Sequence, residues 1–173
     1  MSTAGLVWRL AGATDVPAVA ALLADAGSAL ARQGFANWAE PYPAQRLLAD
    51  LTERQVVGGW QDGALRACFL LGGTPQVPYA DLQWPAGPVP AAYLNRMAVA
   101  PHHQGRGLGA ECLTEVHRRA AALGAQVVRC DVLAANARLG RFYARHGYRL
   151  AGRRSHSGWE FSSLERRLGE DHG

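Results

Sequence analysis

The sequence contains few of the residues that build disulfide frameworks or metal sites. Its three cysteines, Cys68, Cys112 and Cys130, are odd in number, widely spaced and each within an apolar segment. This arrangement indicates reduced, buried thiols in a cytoplasmic protein rather than a disulfide-bonded secreted one. The six histidines include the adjacent pair His102 and His103, but no second cluster gives the spacing of metal ligands. We therefore expect no metal site.

Long apolar runs and a strong excess of one charge are also missing. No apolar run reaches the roughly 20 residues that a membrane-spanning helix needs. No basic segment followed by an apolar stretch marks a secretion signal at the N-terminus. The net charge of +4 suits a polyanionic ligand but is too small to require nucleic acid. For 173 residues the simplest organisation is a single domain spanning residues 1–173.

What the sequence does contain is a glycine-rich turn between a strand and a helix. Tyr93 to Val99 is predicted as a strand, and Pro101 ends it because proline has no N–H to donate. Residues 104–109, which we call the cradle, follow with three glycines, and apolar residues at helical spacing then predict a helix. Glycines permit tight turns, N–H groups at a helix N-terminus attract phosphate, and Arg106 adds a cation. The cradle is therefore predicted to bind an anion.

Glycine spacing alone leaves two other interpretations open. The cradle could be a tight connection that binds nothing. It also satisfies the loose dinucleotide fingerprint over Gly105 to Ala110, with Asp131 about 20 residues further on. Two features count against a dinucleotide site: residues 101–103 separate the strand from the turn, and only about sixty residues follow, too few for a doubly wound sheet.

The rest of the chain alternates strands and helices. Strands are predicted at residues 6–10, 55–60, 64–71, 126–133, 148–152 and 159–168. A first helix is predicted after Thr14, which would cap it, with Pro17 in its first turn. Further helices are predicted at residues 44–51 and from the cap Asn136 up to Gly147. The pair Asp62-Gly63 predicts a hairpin turn, and the proline-rich residues 72–90 a long surface loop. The fold class is therefore α/β (α+β), a mixed sheet with helices on its faces.

Three segments in register resemble the GNAT-type N-acetyltransferases, which transfer an acetyl group from acetyl-CoA to an amine. Met97-Ala98-Val99-Ala100-Pro101 resembles the end of the family's central strand, and the cradle resembles its Gln/Arg-x-x-Gly-x-Gly/Ala pyrophosphate loop. Asn136, followed by Phe142-Tyr143 and Gly147-Tyr148, resembles the last conserved block. The resemblance covers Tyr93 to Arg153. It implies the GNAT fold, with a mixed central sheet of six or seven strands, about four helices, and central parallel strands that splay apart.

The resemblance also implies a role for each matching residue. The backbone of Met97, Ala98 and Val99 would pair with the pantetheine amides of acetyl-CoA, and Asn136 would steady the pantetheine arm. The residues whose N–H groups would hold the pyrophosphate are Gln104, Gly105, Arg106, Gly107, Leu108 and Gly109. Tyr143 would be the general acid that protonates the departing thiolate. A phenol with an ordinary pKa near 10 is protonated at neutral pH, as a proton donor must be.

The proton acceptor and the amine substrate are left open. Either Asp131 or water would take the amine proton, although an acid on a strand is as often part of a structural ion pair; the amide of Asn95 cannot be a base. Trp38 and Tyr42 would form either the acceptor wall or an aromatic cover over the sheet. The four arginines near the C-terminus, Arg153, Arg154, Arg166 and Arg167, are predicted to form a solvated face.

The sequence therefore predicts a cytoplasmic acetyl-CoA-dependent N-acetyltransferase that acts on a small-molecule or protein amine. It uses no metal and does not enter a membrane, and a homodimer is left open. The alternatives are a non-catalytic acyl-CoA sensor that uses the same cradle and, behind it, a nucleic-acid-binding module that uses the basic C-terminal strands.

Overall fold

The computed structural model describes residues 5–79 and 82–170, and in that part of the chain it has seven strands and four α-helices. The strands are β1 (Val7–Leu10), β2 (Gln55–Gln61), β3 (Ala64–Gly72), β4 (Ala91–Val99), β5 (Val127–Leu133), β6 (Arg149–His156) and β7 (Trp159–Arg167). The helices are α1 (Val16–Arg32), α2 (Ala44–Glu53), α3 (Leu108–Ala122) and α4 (Ala137–Arg145), and short 3-10 turns lie at Ala13–Asp15, Ala36–Trp38 and Pro101–His103.

The seven strands form one mixed sheet in the order β1-β2-β3-β4-β5-β7-β6. The pair β4–β5 is parallel, whereas β1–β2, β2–β3, β5–β7 and β6–β7 are antiparallel. The parallel ladder joins residues 91–93 of β4 to residues 127–129 of β5. The sequence prediction of a mixed α/β fold with six or seven strands and about four helices is confirmed, and the three-pair ladder fits central strands that separate.

Two compact units can be distinguished. The first combines the chain up to Leu71 with Arg96–Glu115, and the second combines Gly72–Asn95 with the chain from Val116 onward. Strand β4 and helix α3 each contribute residues to both units. The single domain over residues 1–173 stays a prediction.

In the first unit, an antiparallel hairpin and two helices enclose an apolar core. The hairpin β2–β3 turns at Asp62 and Gly63, whose φ angles of 51° and 75° are both left-handed, as a tight two-residue turn requires. Buried residues of the core come from α1, α2, β2, β3 and β4: Val16, Val19, Leu22, Leu23, Ala26, Leu47, Val56, Cys68, Leu70 and Ala98.

Helix α1, with the 3-10 turn before it, is long and apolar enough to be a candidate membrane span by length and composition alone. Its residues Val19, Leu23 and Ala26 are nearly inaccessible and pack in the core of the first unit. These residues make α1 part of that core.

The predicted start of α1 is wrong by one residue. Thr14 lies inside the 3-10 turn, and α1 begins at Val16 with Asp15 in the N-cap position. The Asp15 carboxylate instead accepts hydrogen bonds from the Gly12 N–H at 2.9 Å and from Arg9 at 2.7 and 3.0 Å. Pro17 does lie in the first turn, as predicted. The Asp15 side chain, rather than that of Thr14, therefore accepts the backbone hydrogen bond at this turn.

In the second unit, the segment before β4 packs against strands β5 and β7. The described parts of this segment, residues 73–79 and 82–90, contain no helix or strand. The buried Arg129 forms an ion pair with Glu165 at 2.9 Å and donates to the Gly87 carbonyl at 2.9 Å. Its guanidinium carbon lies 4.5 Å from the centroid of the Trp84 ring. The predicted surface loop is thus fixed to the sheet by a buried cation.

Candidate active site

The cradle lies between β4 and α3, as the sequence predicts. After Val99 the chain makes the 3-10 turn over Pro101–His103, and α3 begins at Leu108. Gly105 and Gly107 have φ angles of 75° and 84°, in the left-handed region that strains residues with a side chain. A Cβ added at either glycine would meet no atom within 4 Å. Glycine is therefore needed for the backbone conformation, and the space beside the turn is open.

The amides at the start of α3 are suited to an anion. The helical ladder begins where the Glu111 N–H donates to the Gly107 carbonyl at 3.1 Å. The amides just before it cannot reach a carbonyl one turn back, and the positive end of the helix dipole adds to their attraction for negative charge. Residues 104–107 are exposed, Arg106 among them. Residues 104–107 therefore form an exposed turn at a helix N-terminus, a geometry suited to an anion.

The cradle is tied to the end of β4 by a side chain. The Gln104 Nε2 group donates a hydrogen bond to the Val99 carbonyl at 3.1 Å. This bond fixes the loop from its first residue, and the Gln104 backbone N–H is also engaged, because it donates to the Pro101 carbonyl at 3.4 Å. The side-chain bond also occupies one lone pair of the Val99 carbonyl and leaves the second for another donor.

Two arginines, Arg66 and Arg106, place positive charge near His103, the residue just before the cradle. Burial, followed by the charges of Arg66, Arg106 and His102, lowers the pKa of His103 below its ordinary value. Arg66 lies on β3, and its carbonyl accepts a hydrogen bond from the Ala100 N–H at 2.8 Å. Sequence reasoning did not single out Arg66, because only the pairing of β3 beside β4 brings it near a turn forty residues later.

A carboxylate also lies in the first turn of α3. Glu111 accepts hydrogen bonds from the Leu6 N–H at 3.1 Å and from the Trp8 indole N–H at 3.3 Å. An acidic residue in a first helical turn is stabilised by the helix dipole, and this position is a known sequence signal for a helix start. Glu111 therefore anchors the start of the chain to the helix whose N-terminus forms the cradle.

The end of β4 presents alternating buried and accessible residues. Ala98 is 6% exposed and belongs to the core of the first unit, whereas Met97 and Val99 are partly exposed. Arg96, just before them, has a φ angle of 50°, which is unusual for a residue with a side chain. Asn95 has a buried side-chain nitrogen without a hydrogen-bond acceptor among the described residues. This part of β4 is therefore irregular and holds one unsatisfied polar group, the Asn95 side-chain nitrogen.

The remaining two predicted site residues lie on α4, in the second unit. Asn136 is the N-cap: its Oδ1 accepts a hydrogen bond from the Leu139 N–H at 3.1 Å. Tyr143, two turns further on, is 5% exposed, and its ring meets the ring of Tyr148 edge-on with centroids 5.1 Å apart. The predicted cap is confirmed, and Tyr143 is a buried aromatic residue with a polar end.

Comparison with known proteins identifies the family. The sequence matches the model of the Acetyltransferase (GNAT) family over residues 24–148, more than two thirds of the chain. The chain belongs to the GNAT acetyltransferase family. Members of this family are acyltransferases that use acetyl-CoA, so the sequence resemblance is confirmed at that level. No match was found among curated protein sequences.

Solved GNAT structures share the fold over nearly the whole chain. A GNAT family acetyltransferase from Streptococcus agalactiae is 19% identical, with a TM-score of 0.78 and 96% of each chain covered. The ribosomal-protein-S18-alanine N-acetyltransferase from Escherichia coli is 17% identical, with a TM-score of 0.72 and 96% of each chain covered. The protein yncA from Salmonella typhimurium, solved with its cofactor acetyl-CoA, is 17% identical, with a TM-score of 0.69 and 98% of each chain covered. At these identities the likeness concerns the fold.

In this GNAT chain, Asp131 is part of a structural ion pair. Its carboxylate accepts hydrogen bonds from the Tyr79 hydroxyl at 3.0 Å, the Ser163 hydroxyl at 2.6 Å and the Arg154 guanidinium. Arg154 also donates to the carbonyls of Val77 and Pro78, both at 3.1 Å. A carboxylate with three donors, one of them a cation, is well suited to hold the segment before β4.

The prediction of a solvated arginine face is wrong for two of its four members. Arg153 and Arg167 have 62% and 52% of their side chains exposed, as predicted. Arg154 is only 19% exposed because it pairs with Asp131. Arg166 donates to His117 Nδ1 at 2.7 Å. Strand alternation explains the split, since neighbouring side chains on β6 and on β7 point to opposite faces of the sheet.

Beside Tyr143, a histidine and a second tyrosine form a buried polar group that the sequence did not reveal. His117 Nε2 lies 2.9 Å from the Tyr148 hydroxyl. Burial, together with the charge of Arg166, lowers the pKa of His117 to about 4, so this histidine is neutral at pH 7. Burial raises the pKa of Tyr148 well above its ordinary value. The packing around Tyr143 thus includes the polar Tyr148, which is linked to His117.

Proposed function

We propose that this GNAT protein transfers the acetyl group of acetyl-CoA to an amine acceptor. One observation carries the proposal: an exposed, left-handed glycine turn at the N-terminus of α3, with Arg106 on it and Arg66 close by, in a chain of this family. The cradle amides bind the pyrophosphate, as the free N–H groups and the local positive charge favour. The backbone of Met97, Ala98 and Val99 pairs with the pantetheine amides, and Asn136 steadies that arm.

The chemistry requires one bond to form and one to break. The neutral amine nitrogen attacks the acetyl carbonyl carbon, the carbon–sulfur bond breaks, and the sulfur leaves as a thiolate. Tyr143 gives that sulfur its hydroxyl proton, and such a donor typically contributes about 10²–10⁴-fold to the rate. Water takes the proton from the amine, because the Asp131 carboxylate is already engaged by three donors.

Acetyl-CoA consumption tests this function directly. Panels of small amines, amino acids, polyamines, aminoglycosides and peptide N-termini are incubated with the protein, and free CoA and the acetylated product are both quantified. The chain contains no lysine, so its own side chains offer no ε-amine acceptor. We expect one class of amine to give acetylated product in equal amount to the CoA released. Binding of acetyl-CoA without transfer to any amine would contradict the proposal.

A non-catalytic acyl-CoA sensor is the second candidate. It is favoured by the engagement of Asp131, which leaves the described part of the site without an assigned carboxylate base. A sensor would bind acetyl-CoA and gain stability without releasing CoA. Release of CoA in step with an acetylated amine would exclude it.

The free cysteines support the cytoplasm as the proposed location. Cys68, Cys112 and Cys130 are all buried and unpaired with one another. Burial raises the pKa of the Cys68 thiol to about 12, which keeps that thiol protonated and unreactive. Inert thiols of this kind are typical of a reducing compartment.

A further inference from the structure

Arg96 is held in a strained backbone conformation on β4, within the first unit. Its φ angle of 50° lies in the left-handed region, which is unfavourable for a residue with a side chain. The side chain is partly exposed, so it has access to solvent. An unfavourable conformation of this kind persists where the surrounding structure holds the residue in place.

Two aromatic rings hold the Arg96 side chain. Its guanidinium carbon lies 4.8 Å from the centroid of the Trp38 ring and 4.6 Å from that of the Tyr42 ring. Tyr42 is itself fixed, because its hydroxyl donates to the buried carboxylate of Asp50 at 2.6 Å. Rings at these distances attract a guanidinium by its charge and restrict its orientation. The cation is therefore positioned before any ligand arrives.

The neighbouring carboxylates are already paired with other arginines. Asp50 lies 3.2 Å from Arg54 and 3.5 Å from Arg46, and Glu53 lies 3.3 Å from Arg46. Arg96 forms no ion pair or side-chain hydrogen bond with any residue that the structure describes. Arg96 also feels the charge of Asp50, but Asp50 is shared with Arg46 and Arg54, so the charge of Arg96 is only partly balanced. Burial lowers the pKa of Arg96, the direction expected of a cation whose charge is not fully compensated.

The place of Arg96 along β4 relates it to the proposed reaction. In the proposed function, the pyrophosphate lies at residues 104–109 and the pantetheine arm runs back along Val99 and Met97. Each strand residue advances the chain by about 3.3 Å, so Arg96 is the next backbone position after Met97, and its left-handed φ angle interrupts the regular alternation of side chains there. That position is the acyl end of the bound molecule, where the acceptor amine must arrive.

We propose that Arg96, held between Trp38 and Tyr42, binds an anionic group of the acceptor, so that the substrate is an amine that also carries a carboxylate or a similar oxyanion. This inference rests on the proposed acetyl transfer. The planar guanidinium offers parallel N–H donors that match the two oxygens of a carboxylate. A fixed cation beside the incoming nitrogen also disfavours the protonated amine, and only the neutral amine can attack the thioester.

Matched acceptor pairs test the proposal. Several L-α-amino acids are compared with their carboxamides, which keep the amine and the side chain but lack the negative charge. We expect kcat/KM to favour the carboxylate member by about 10–100-fold, the usual range for a charge-assisted hydrogen bond. Equal use of the amide and the acid would overturn the role of Arg96 while leaving acetyl transfer intact.

Three variants locate the preference. Arg96→Met should raise KM for the amino acids and leave KM for the carboxamides unchanged, so that the preference for acids is lost. Arg96→Lys retains the positive charge but lacks the two parallel N–H donors of the guanidinium, so it should keep part of the preference. Arg153→Met removes one exposed cation from the second unit and controls for net charge; it should leave the preference intact. An equal loss for acids and amides in Arg96→Met, with the fold retained by thermal melting, would contradict the proposal.

A binding arm separates this inference from the proposed function. If no amine is acetylated, binding of the same amino acids to the CoA-saturated protein is measured by saturation-transfer NMR. Binding of the acids that is lost in Arg96→Met would support the anion site although the transfer proposal has failed. Absence of amino-acid binding in the wild-type protein would overturn the anion site.

Discussion

The cradle and helix α4 supply the two halves of the proposed reaction, and they are built in opposite ways. The cradle is exposed, and the groups proposed to bind the anion are backbone amides in a turn with two left-handed glycines. On α4, by contrast, the relevant groups are the side chains of Asn136 and Tyr143, which are 8% and 5% exposed. Binding of a large anionic ligand needs open backbone, whereas a proton donor needs a fixed side chain in a dry environment. The difference predicts that each region can be disabled separately.

The largest effect is expected from Gly107→Glu. The change places a side chain in a left-handed position and a negative charge where the pyrophosphate binds. In the wild-type protein, acetyl-CoA at 100 times its Kd should raise Tm by about 5–10 °C, from roughly 2.7 kcal/mol of added stability. The variant should lose this shift and all turnover.

The control for this variant is Gly124→Glu. Gly124 follows the C-terminal end of α3 with a φ angle of 81° and, like Gly107, has no atom near a would-be Cβ. It carries the same backbone strain without lying in the cradle, so the control should lower Tm and keep the acetyl-CoA shift. An equal rise in Tm on addition of acetyl-CoA in both variants would show that the pyrophosphate does not bind at the cradle.

A smaller effect is expected from Asn136, which has both a structural and a proposed binding role. Asn136→Ala removes the N-cap hydrogen bond and should cost about 1 kcal/mol, or roughly 2–4 °C in Tm. Asn136→Ser restores a capping oxygen and should recover most of that stability. If Asn136 steadies the pantetheine arm, both variants should bind acetyl-CoA several-fold more weakly. Full recovery of acetyl-CoA affinity in Asn136→Ser would show that Asn136 acts only as a helix cap.

The smallest effect is a pH dependence that involves His117, beside Tyr148. Its pKa is lowered to about 4 in the folded protein from an ordinary value of 6.5. The unfolded chain therefore binds a proton first, and stability should fall as the pH is lowered from about 6.5 to about 4. Thermal melts across this range should show a weaker pH dependence in His117→Gln than in the wild type. Parallel curves would show that His117 does not titrate as described.

The contrast between the two regions also explains what could be predicted from the sequence. Glycines at left-handed positions, a proline that ends a strand and a capping asparagine act locally, so the cradle, the Asp62-Gly63 turn and the start of α4 were all predictable. Long-range contacts leave no local pattern. Arg66 comes near the cradle only because β3 lies beside β4, and the pairing of Arg154 with Asp131 depends on the order of β5, β7 and β6.

The error at Thr14 has a similar cause on a smaller scale. Threonine is a good N-cap, but the carboxylate of the next residue can reach both the Gly12 amide and the Arg9 guanidinium. Those charge-assisted hydrogen bonds stabilise a 3-10 turn and delay the α-helix to Val16. Local propensity was enough to predict helix α1, whereas its first residue depends on the contact of Asp15 with Arg9 of β1.

The most direct test of the central claim is the single-turnover rate of Tyr143→Phe with an accepted amine. This variant keeps the ring and its edge contact with Tyr148 but removes the proton that the thiolate would receive. Saturation with acetyl-CoA removes differences in binding, and a single turnover removes product release. We predict a rate about 10²–10⁴-fold below that of the wild-type protein, with acetyl-CoA affinity almost unchanged. An unchanged single-turnover rate would show that the thiolate leaves without Tyr143, and that this residue only packs against its neighbours.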